Sequence, residues 1–167
     1  MEIREILLPE FDTEMKATRT TLERVPPDKT DYKPHEKSMA FGRLAAHVAQ
    51  LPEFAAQIIE LPELDFSKGS MKPLVMESRE QLLAAFDAAA QQARAAVAGA
   101  SEADWQHIWK LSFQGQKIAE QPRFRAYRGM FLNHLIHHRA QLGVYLRLND
   151  VPLPATYGPS ADDKMGF

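Results

Sequence analysis

The sequence predicts an all-α protein, a four-helix bundle with long crossover connections. Two observations carry this prediction: four stretches place apolar residues three and four positions apart, and no stretch shows a sustained strand pattern. The 167 residues are expected to form a single domain, 1–167, with a real core, because a domain of about 150 residues buries roughly 70% of its unfolded surface.

The first two helices are predicted from their apolar faces and their ends. The first begins at about Pro9, a residue suited to the first turn of a helix, and ends before Pro26 and Pro27. The second extends from Lys37 to Glu60, with Ser38 as its N-cap. The apolar face of the second helix consists of Leu44, Val48, Leu51, Phe54, Ile58 and Leu61.

A long connection and a third helix follow. Residues 60–77 contain glycine and proline without a helical or strand period, and a connection of this length often crosses a bundle or borders a site. Ser78 and Gln81 then have the spacing of a capping box, which predicts a third helix that ends at Gly99.

The last part of the chain predicts one long helix preceded by a short irregular region. Trp109, Leu111 and Phe113 alternate with polar residues before Gly115, which indicates a small hairpin or an extended loop. The span 122–148 has the pattern of a single final helix, and a proline-rich tail follows it.

Composition and charge exclude several classes of function. A net charge of -2 and the lack of a basic stripe argue against binding to nucleic acid. No run approaches the roughly 20 apolar residues that a membrane span needs, and the N-terminus has no signal-peptide pattern, so we expect a soluble cytoplasmic protein. The chain has no cysteine, so it offers neither a disulfide nor a thiolate, and any thiol chemistry needs an external thiol.

Two histidines of the predicted final helix share one face. The residues on this face, three and four positions apart, are Tyr127, Phe131, His134, His138, Gln141 and Tyr145. A buried imidazole pair is costly unless each ring has hydrogen-bond partners or the two rings bind an ion. From the pair alone, a metal site and a hydrogen-bonded core pair are equally good interpretations.

A third histidine, in the second helix, favours the metal site. His47 lies between Leu44 and Leu51 on an otherwise apolar face, where burial of a polar ring is costly unless the ring has a hydrogen-bond partner or binds an ion. Inward faces of different helices meet in a bundle, and one histidine from one helix with two from another makes an open three-histidine metal site. The predicted ligands are therefore His47, His134 and His138.

The other three histidines are expected to be bystanders. His137 points about 100° away from His138 on a helix, toward solvent, a neighbouring helix or a subunit contact. His35 and His107 fall in predicted loops and are expected at the surface, although His35 could approach the mouth of a cleft.

The sequence resembles the DinB-like superfamily of four-helix-bundle metalloproteins, which includes bacillithiol S-transferase-like and mycothiol-dependent maleylpyruvate isomerase-like proteins. The stretches that carry the resemblance are LAAHVAQL around His47, HLIHHRAQLGVYLRL from His134, and the tail VPLPATYGPSADD. Ala140 stands where many relatives have glycine, which removes no ligand.

The resemblance implies a divalent ion, usually zinc or nickel, bound by His47, His134 and His138. It also implies a homodimer, and its name refers to induction by DNA damage rather than to chemistry on DNA. It does not assign a reaction, since many members look alike while their substrates are unknown.

Three functional hypotheses follow for such a site. The first is a metal-dependent transferase that acts on small molecules with a low-molecular-weight thiol as co-substrate, because an ion with an open position lowers the pKa of a bound thiol or water. The alternatives are a hydrolase that uses bound water and a non-catalytic, stress-related metal-binding protein. No catalytic residue is assigned; the candidates for a general acid or base are Asp12, Glu53, Gln141 and Tyr145.

Overall fold

The computed structural model describes residues 2–69 and 72–164. The helices and strands are, in chain order, α1 (Ile3–Leu22), α2 (Phe41–Glu60), β1 (Glu63–Asp65), α3 (Arg79–Gly99), α4 (Glu102–Gln106), β2 (Ile108–Phe113), β3 (Gln116–Pro122), α5 (Arg123–Ala126) and α6 (Asn133–Leu148). A π-helical turn, Tyr127–Leu132, joins α5 to α6, and short 3-10 turns occupy Pro27–Lys29 and Phe66–Lys68.

The long helices pack around one hydrophobic core in which α2 is central. Helix α2 packs against both α3 and α6, and α1 packs against the same two helices. Several buried alanines of α2, such as Ala45 and Ala49, keep this helix narrow and allow its neighbours to approach closely. None of the described helices is long and apolar enough to cross a membrane.

The prediction of an all-α fold is confirmed only in part: the chain is mostly helical, but it also forms a small three-stranded sheet with the order β1-β2-β3. Strands β2 and β3 form an antiparallel hairpin, as the alternation before Gly115 indicated. Gln114 and Gly115 both have positive φ values, 51° and 77°, which suits the tight two-residue turn between Phe113 and Gln116.

Strand β1 lies inside the stretch for which an irregular connection was predicted. It pairs in parallel with β2, and Leu64 is placed opposite Leu111. Leu64, Trp109 and Leu111 are all buried, so the sheet covers one side of the helical core. Three residues are too short to show a period, and their partner strand lies more than forty positions later in the chain.

The first two helices begin elsewhere than predicted. Helix α1 begins at Ile3, with Pro9 inside it, because the Glu5 carboxylate accepts the N–H of Glu2 at 3.0 Å and the Glu102 carboxylate accepts that of Ile3 at 3.1 Å. Helix α2 begins at Phe41 rather than near Ser38.

The start of α2 is set by backbone contacts with an earlier turn. The N–H groups of Phe41 and Gly42 donate to the carbonyls of Tyr32 and Thr30, each at 2.9 Å. These carbonyls satisfy donors that a serine cap would otherwise serve. At the start of α3 the Ser78 half of the predicted capping box is confirmed, since the Ser78 hydroxyl accepts the N–H of Gln81 at 3.0 Å. The Gln81 amide oxygen accepts the N–H of Glu77, at 3.4 Å, instead of that of Ser78.

Candidate metal centre

Helices α2 and α6 bring three half-buried imidazoles together. His47 comes from the middle of α2, and His134 and His138 come from successive turns of α6. The ring centroid of His47 lies 5.1 Å from that of His134 and 4.6 Å from that of His138. The centroids of the two α6 rings are also 4.6 Å apart. The structure thus assembles the same three residues that the helical spacing selected.

The nitrogen atoms of this triad have a spacing that suits one ion. The Nε2 atoms of His47 and His134 are 3.3 Å apart, and one ring nitrogen from each residue lies within 4.8 Å of the other two. Two nitrogens bound tetrahedrally at about 2.0 to 2.1 Å from zinc would be separated by about 3.3 Å. Among the described residues, these three histidines are the one group of three or more histidine, cysteine, aspartate or glutamate side chains that could hold a metal ion.

Oxygen acceptors hold the two α6 rings in the orientation that a metal ligand requires. Nδ1 of His134 lies 3.3 Å from the carbonyl of Met130, and Nδ1 of His138 lies 2.7 Å from Oε1 of Gln141. A proton on Nδ1 satisfies each acceptor and leaves the lone pair of Nε2 for an ion. Gln141 therefore orients His138.

The surroundings favour neutral imidazoles. Burial and, to a smaller extent, the neighbouring His138, His134 and Arg43 together lower the pKa of His47 from 6.5 to about 4. Burial is also the main cause of the lowered pKa values of His134 and His138. At neutral pH the three rings therefore offer lone pairs instead of repelling a cation.

The backbone just before His134 has unusual geometry. Residues Tyr127–Leu132 form a π-helical turn, in which each N–H reaches one residue further back than in an α-helix. Met130, whose carbonyl contacts the His134 ring, lies within this turn. The π-helical turn therefore supplies an acceptor next to one of the predicted ligands, a location typical of such turns at functional sites.

The other histidines lie outside the triad. His137 is exposed, with its ring centroid 4.9 Å from that of His138. His35 is exposed, and its Nδ1 accepts the N–H of Lys37 at 3.2 Å. His107 is exposed and is the C-cap residue directly after α4.

Of the four acid and base candidates, one contacts the triad. Gln141 contacts His138, whereas the Tyr145 hydroxyl donates to the carbonyl of Met39 at 2.9 Å. Asp12 forms an exposed ion pair with α3. Glu53 accepts hydrogen bonds from two glutamines of its own helix and is not part of the wall of the adjoining cavity.

A cavity of about 350 Å³ adjoins the triad, within the usual size range of small-molecule sites. It is lined by Met39, Arg43, His47, Gln50, Leu51, Phe54, Phe66, Pro73, Leu74 and His134. Sequence reasoning missed the polar residues Arg43 and Gln50. Their positions four before and three after His47 place them on the same face of α2, which was an available signal.

Gln50 holds one wall of this cavity in place. Its amide nitrogen donates to the carbonyl of Lys72 at 2.7 Å, and its amide oxygen accepts the N–H of Leu74 at 3.1 Å. A single side chain therefore pairs with the extended backbone of the connection between α2 and α3 and keeps Leu74 against the cavity.

Comparisons with known proteins agree with this fold. Two crystal structures of DinB-like proteins resemble the chain: one from Bacillus subtilis, with a TM-score of 0.66, 21% identity and coverage of 86% of this chain and 91% of the other, and one from Bacillus cereus, with a TM-score of 0.68, 15% identity and coverage of 90% and 95%. At these identities the likeness concerns the fold. No functionally curated protein matches the chain.

The family assignment rests on a match to a family model. The model of the DinB superfamily matches residues 10–142, a span that includes the three histidines of the triad and most of the helical core. The chain therefore belongs to the DinB superfamily.

Proposed function

We propose that this protein is a divalent-metal-dependent transferase that joins a low-molecular-weight thiol to a small electrophilic substrate. The observation that carries the proposal is the triad itself: three imidazoles, kept neutral by burial, converge beside a cavity of small-molecule size. Bound to zinc or nickel, such a site supplies a Lewis acid that lowers the pKa of a thiol at neutral pH.

The residues of the chain have separate roles in this proposal. His47, His134 and His138 hold the ion, and Met130 and Gln141 keep the α6 rings turned toward it. The apolar walls of the cavity hold the electrophile and exclude water that would compete with the thiol. In the transfer, a sulfur–carbon bond forms, the leaving group departs with its electron pair, and the thiol proton passes to solvent.

The lining of the cavity favours thiol transfer over the alternatives. Hydrolysis needs a general base for water, and none of the described residues that line the cavity is a carboxylate. A purely structural metal site is closed by a fourth protein ligand, whereas the described metal-ligating group has three members. An open position next to a cavity is the arrangement that catalysis uses.

Metal content tests the first part of the proposal. Protein purified without a nickel column should contain close to one zinc or nickel ion per chain by elemental analysis. The double variant His134→Ala, His138→Ala should lose this metal, while His137→Ala, which changes an exposed neighbour, should retain it. Equal metal in the wild type and the double variant would refute the site.

Consumption of free thiol tests the reaction. With monochlorobimane as the electrophile, thiol loss should depend on both protein and metal for at least one of bacillithiol, mycothiol and glutathione. Rates that are the same with and without metal, for all three thiols, would count against a transferase.

The expected homodimer also remains a prediction, and light scattering of the purified chain tests it.

A further inference from the structure

One charged side chain, the exposed Arg43, contributes to the lining of the cavity beside the triad. Arg43 lies on α2 one turn before His47, so the guanidinium and the imidazole lie on the same face of the helix. Among the described residues that line the cavity, none is an aspartate or a glutamate. The described lining therefore carries one positive charge and no negative charge.

Arg43 also differs from most arginines of the long helices in having no hydrogen-bond or ion-pair partner among the residues that the structure describes. Arg19 and Arg94 form bidentate pairs with carboxylates of neighbouring helices, and Arg139 is buried against Glu14. No hydrogen bond or ion pair joins the Arg43 guanidinium to any residue in 2–69 or 72–164. Its donors remain available to a ligand in the cavity.

Apart from the imidazoles of the triad and Gln50, the rest of the described lining is apolar. Phe54 and Phe66 lie against each other with ring centroids 6.0 Å apart, and Leu51 and Leu74 complete the apolar wall. Gln50, which with Arg43 and His47 is one of three polar residues of α2 in this lining, uses its amide to hold the connection at Lys72 and Leu74. The cavity therefore offers a ligand a cationic end at Arg43 and an apolar body near the two phenylalanines.

We propose that the organic ligand of this cavity is a carboxylic acid whose carboxylate pairs with Arg43 and whose apolar part packs on Phe54 and Phe66. The planar guanidinium can donate two parallel hydrogen bonds to a carboxylate, a geometry that neither an amide nor an amine can accept equally well. The inference rests on the proposed function only in making this acid a substrate of the transfer reaction.

Binding of three matched probes tests the inference. The probes are 4-phenylbutyrate, 4-phenylbutanamide and 4-phenylbutylamine, which share an aromatic body and differ in charge. Calorimetric titrations use both metal-free and zinc-loaded full-length protein. The carboxylate should bind about tenfold more tightly than the amide to the metal-free protein, and the amine should bind most weakly.

Variants decide whether Arg43 is responsible. In Arg43→Gln the tenfold preference for the carboxylate should disappear, and in Arg43→Lys it should be partly retained. Arg125→Gln makes the same change of charge at an exposed site outside the cavity and should leave the preference intact. Unchanged preference in Arg43→Gln would overturn the inference, as would a preference that appears only with zinc, since the ion would then bind the carboxylate.

The same measurements separate this inference from the proposed function. Arg43→Gln should retain the metal content and melting temperature of the wild type, so a loss of probe binding cannot come from collapse of the triad. If the wild type bound no metal, the proposed function would fail. The preference for the carboxylate, measured on metal-free protein, would still test the role of Arg43 independently of metal binding.

Discussion

Replacing Glu14 by glutamine should strongly destabilise the protein, because Glu14 neutralises a buried arginine. The carboxylate of Glu14 on α1 lies 2.7 Å from the guanidinium of Arg139 on α6, and both side chains are less than 10% exposed, at 7% and 4%. Arg139 also donates to the Glu14 carbonyl, the Thr18 hydroxyl and the Tyr157 hydroxyl, at 3.1, 3.2 and 2.8 Å. Tyr157 in turn donates to the same carboxylate at 2.9 Å.

The magnitude follows from the burial of the charge that remains. The substitution Glu14→Gln keeps the volume of the side chain but leaves the guanidinium of Arg139, 4% exposed, without a counter-charge. Removing one partner of a buried pair costs about 3 to 5 kcal/mol. For a chain of this size each kcal/mol corresponds to roughly 2 to 4 °C, so we expect the melting temperature to fall by about 6 to 20 °C.

Unfolding by urea and by heat, followed by circular dichroism on metal-free protein, measures this effect. Asp12→Asn is the matched control, because Asp12 lies on the same helix and pairs with Arg94 through side chains that are 44% and 52% exposed. An exposed pair contributes less than about 1 kcal/mol. Equal losses of unfolding free energy in Glu14→Gln and Asp12→Asn would refute the reasoning.

Three further predictions concern the triad and its cavity. Gln141→Leu removes the acceptor that orients His138 and should weaken zinc binding about 10- to 100-fold in a competition titration with a chelator; unchanged affinity would contradict the orienting role. Gln50→Ala should release the backbone near Leu74, seen as faster amide hydrogen exchange there with little change in global stability, and unchanged exchange would show that Gln50 does not hold this wall. Burial and the neighbouring His138, His134 and Arg43 together lower the pKa of His47 from 6.5 to about 4. Between these pH values the folded metal-free protein binds fewer protons than the unfolded chain, so its unfolding free energy should fall as the pH decreases from about 6.5 to 4. His47→Ala should flatten this decrease, and an equally steep decrease in that variant would assign it to other groups.

The features that could be predicted from the sequence depend on interactions between residues close together in the chain, whereas the features that were missed depend on contacts between distant segments. The presence of the long helices follows from apolar periodicity, and the cap at Ser78 is a contact between residues three positions apart. The start of α2 escaped prediction because carbonyls of Thr30 and Tyr32 satisfy its first N–H groups. The start of α1 was missed for a similar reason, since a carboxylate from α4 contributes there.

In the small sheet too, the part with a local sequence signal could be predicted and the part that depends on distant pairing could not. The hairpin before the last helix had a local signal, because Trp109 and Leu111 alternate with polar residues and Gly115 supports a tight turn. Strand β1 had none, since three residues in an irregular stretch become a strand only when β2 pairs with them. Parallel pairing between distant segments depends on the packing of the helices that bring them together.

For the candidate metal centre, the sequence by itself determined which histidines share a face. A period of 3.6 residues places His134 and His138 together and turns His137 away, whatever the rest of the molecule does. Only the tertiary structure decided that α2 brings Nε2 of His47 to 3.3 Å from Nε2 of His134. It also decided that Arg43 and Gln50 line a cavity beside these two rings. The physical reason is that helical periodicity is a local property of the backbone, whereas the approach of two helices and the space left between them depend on packing throughout the core.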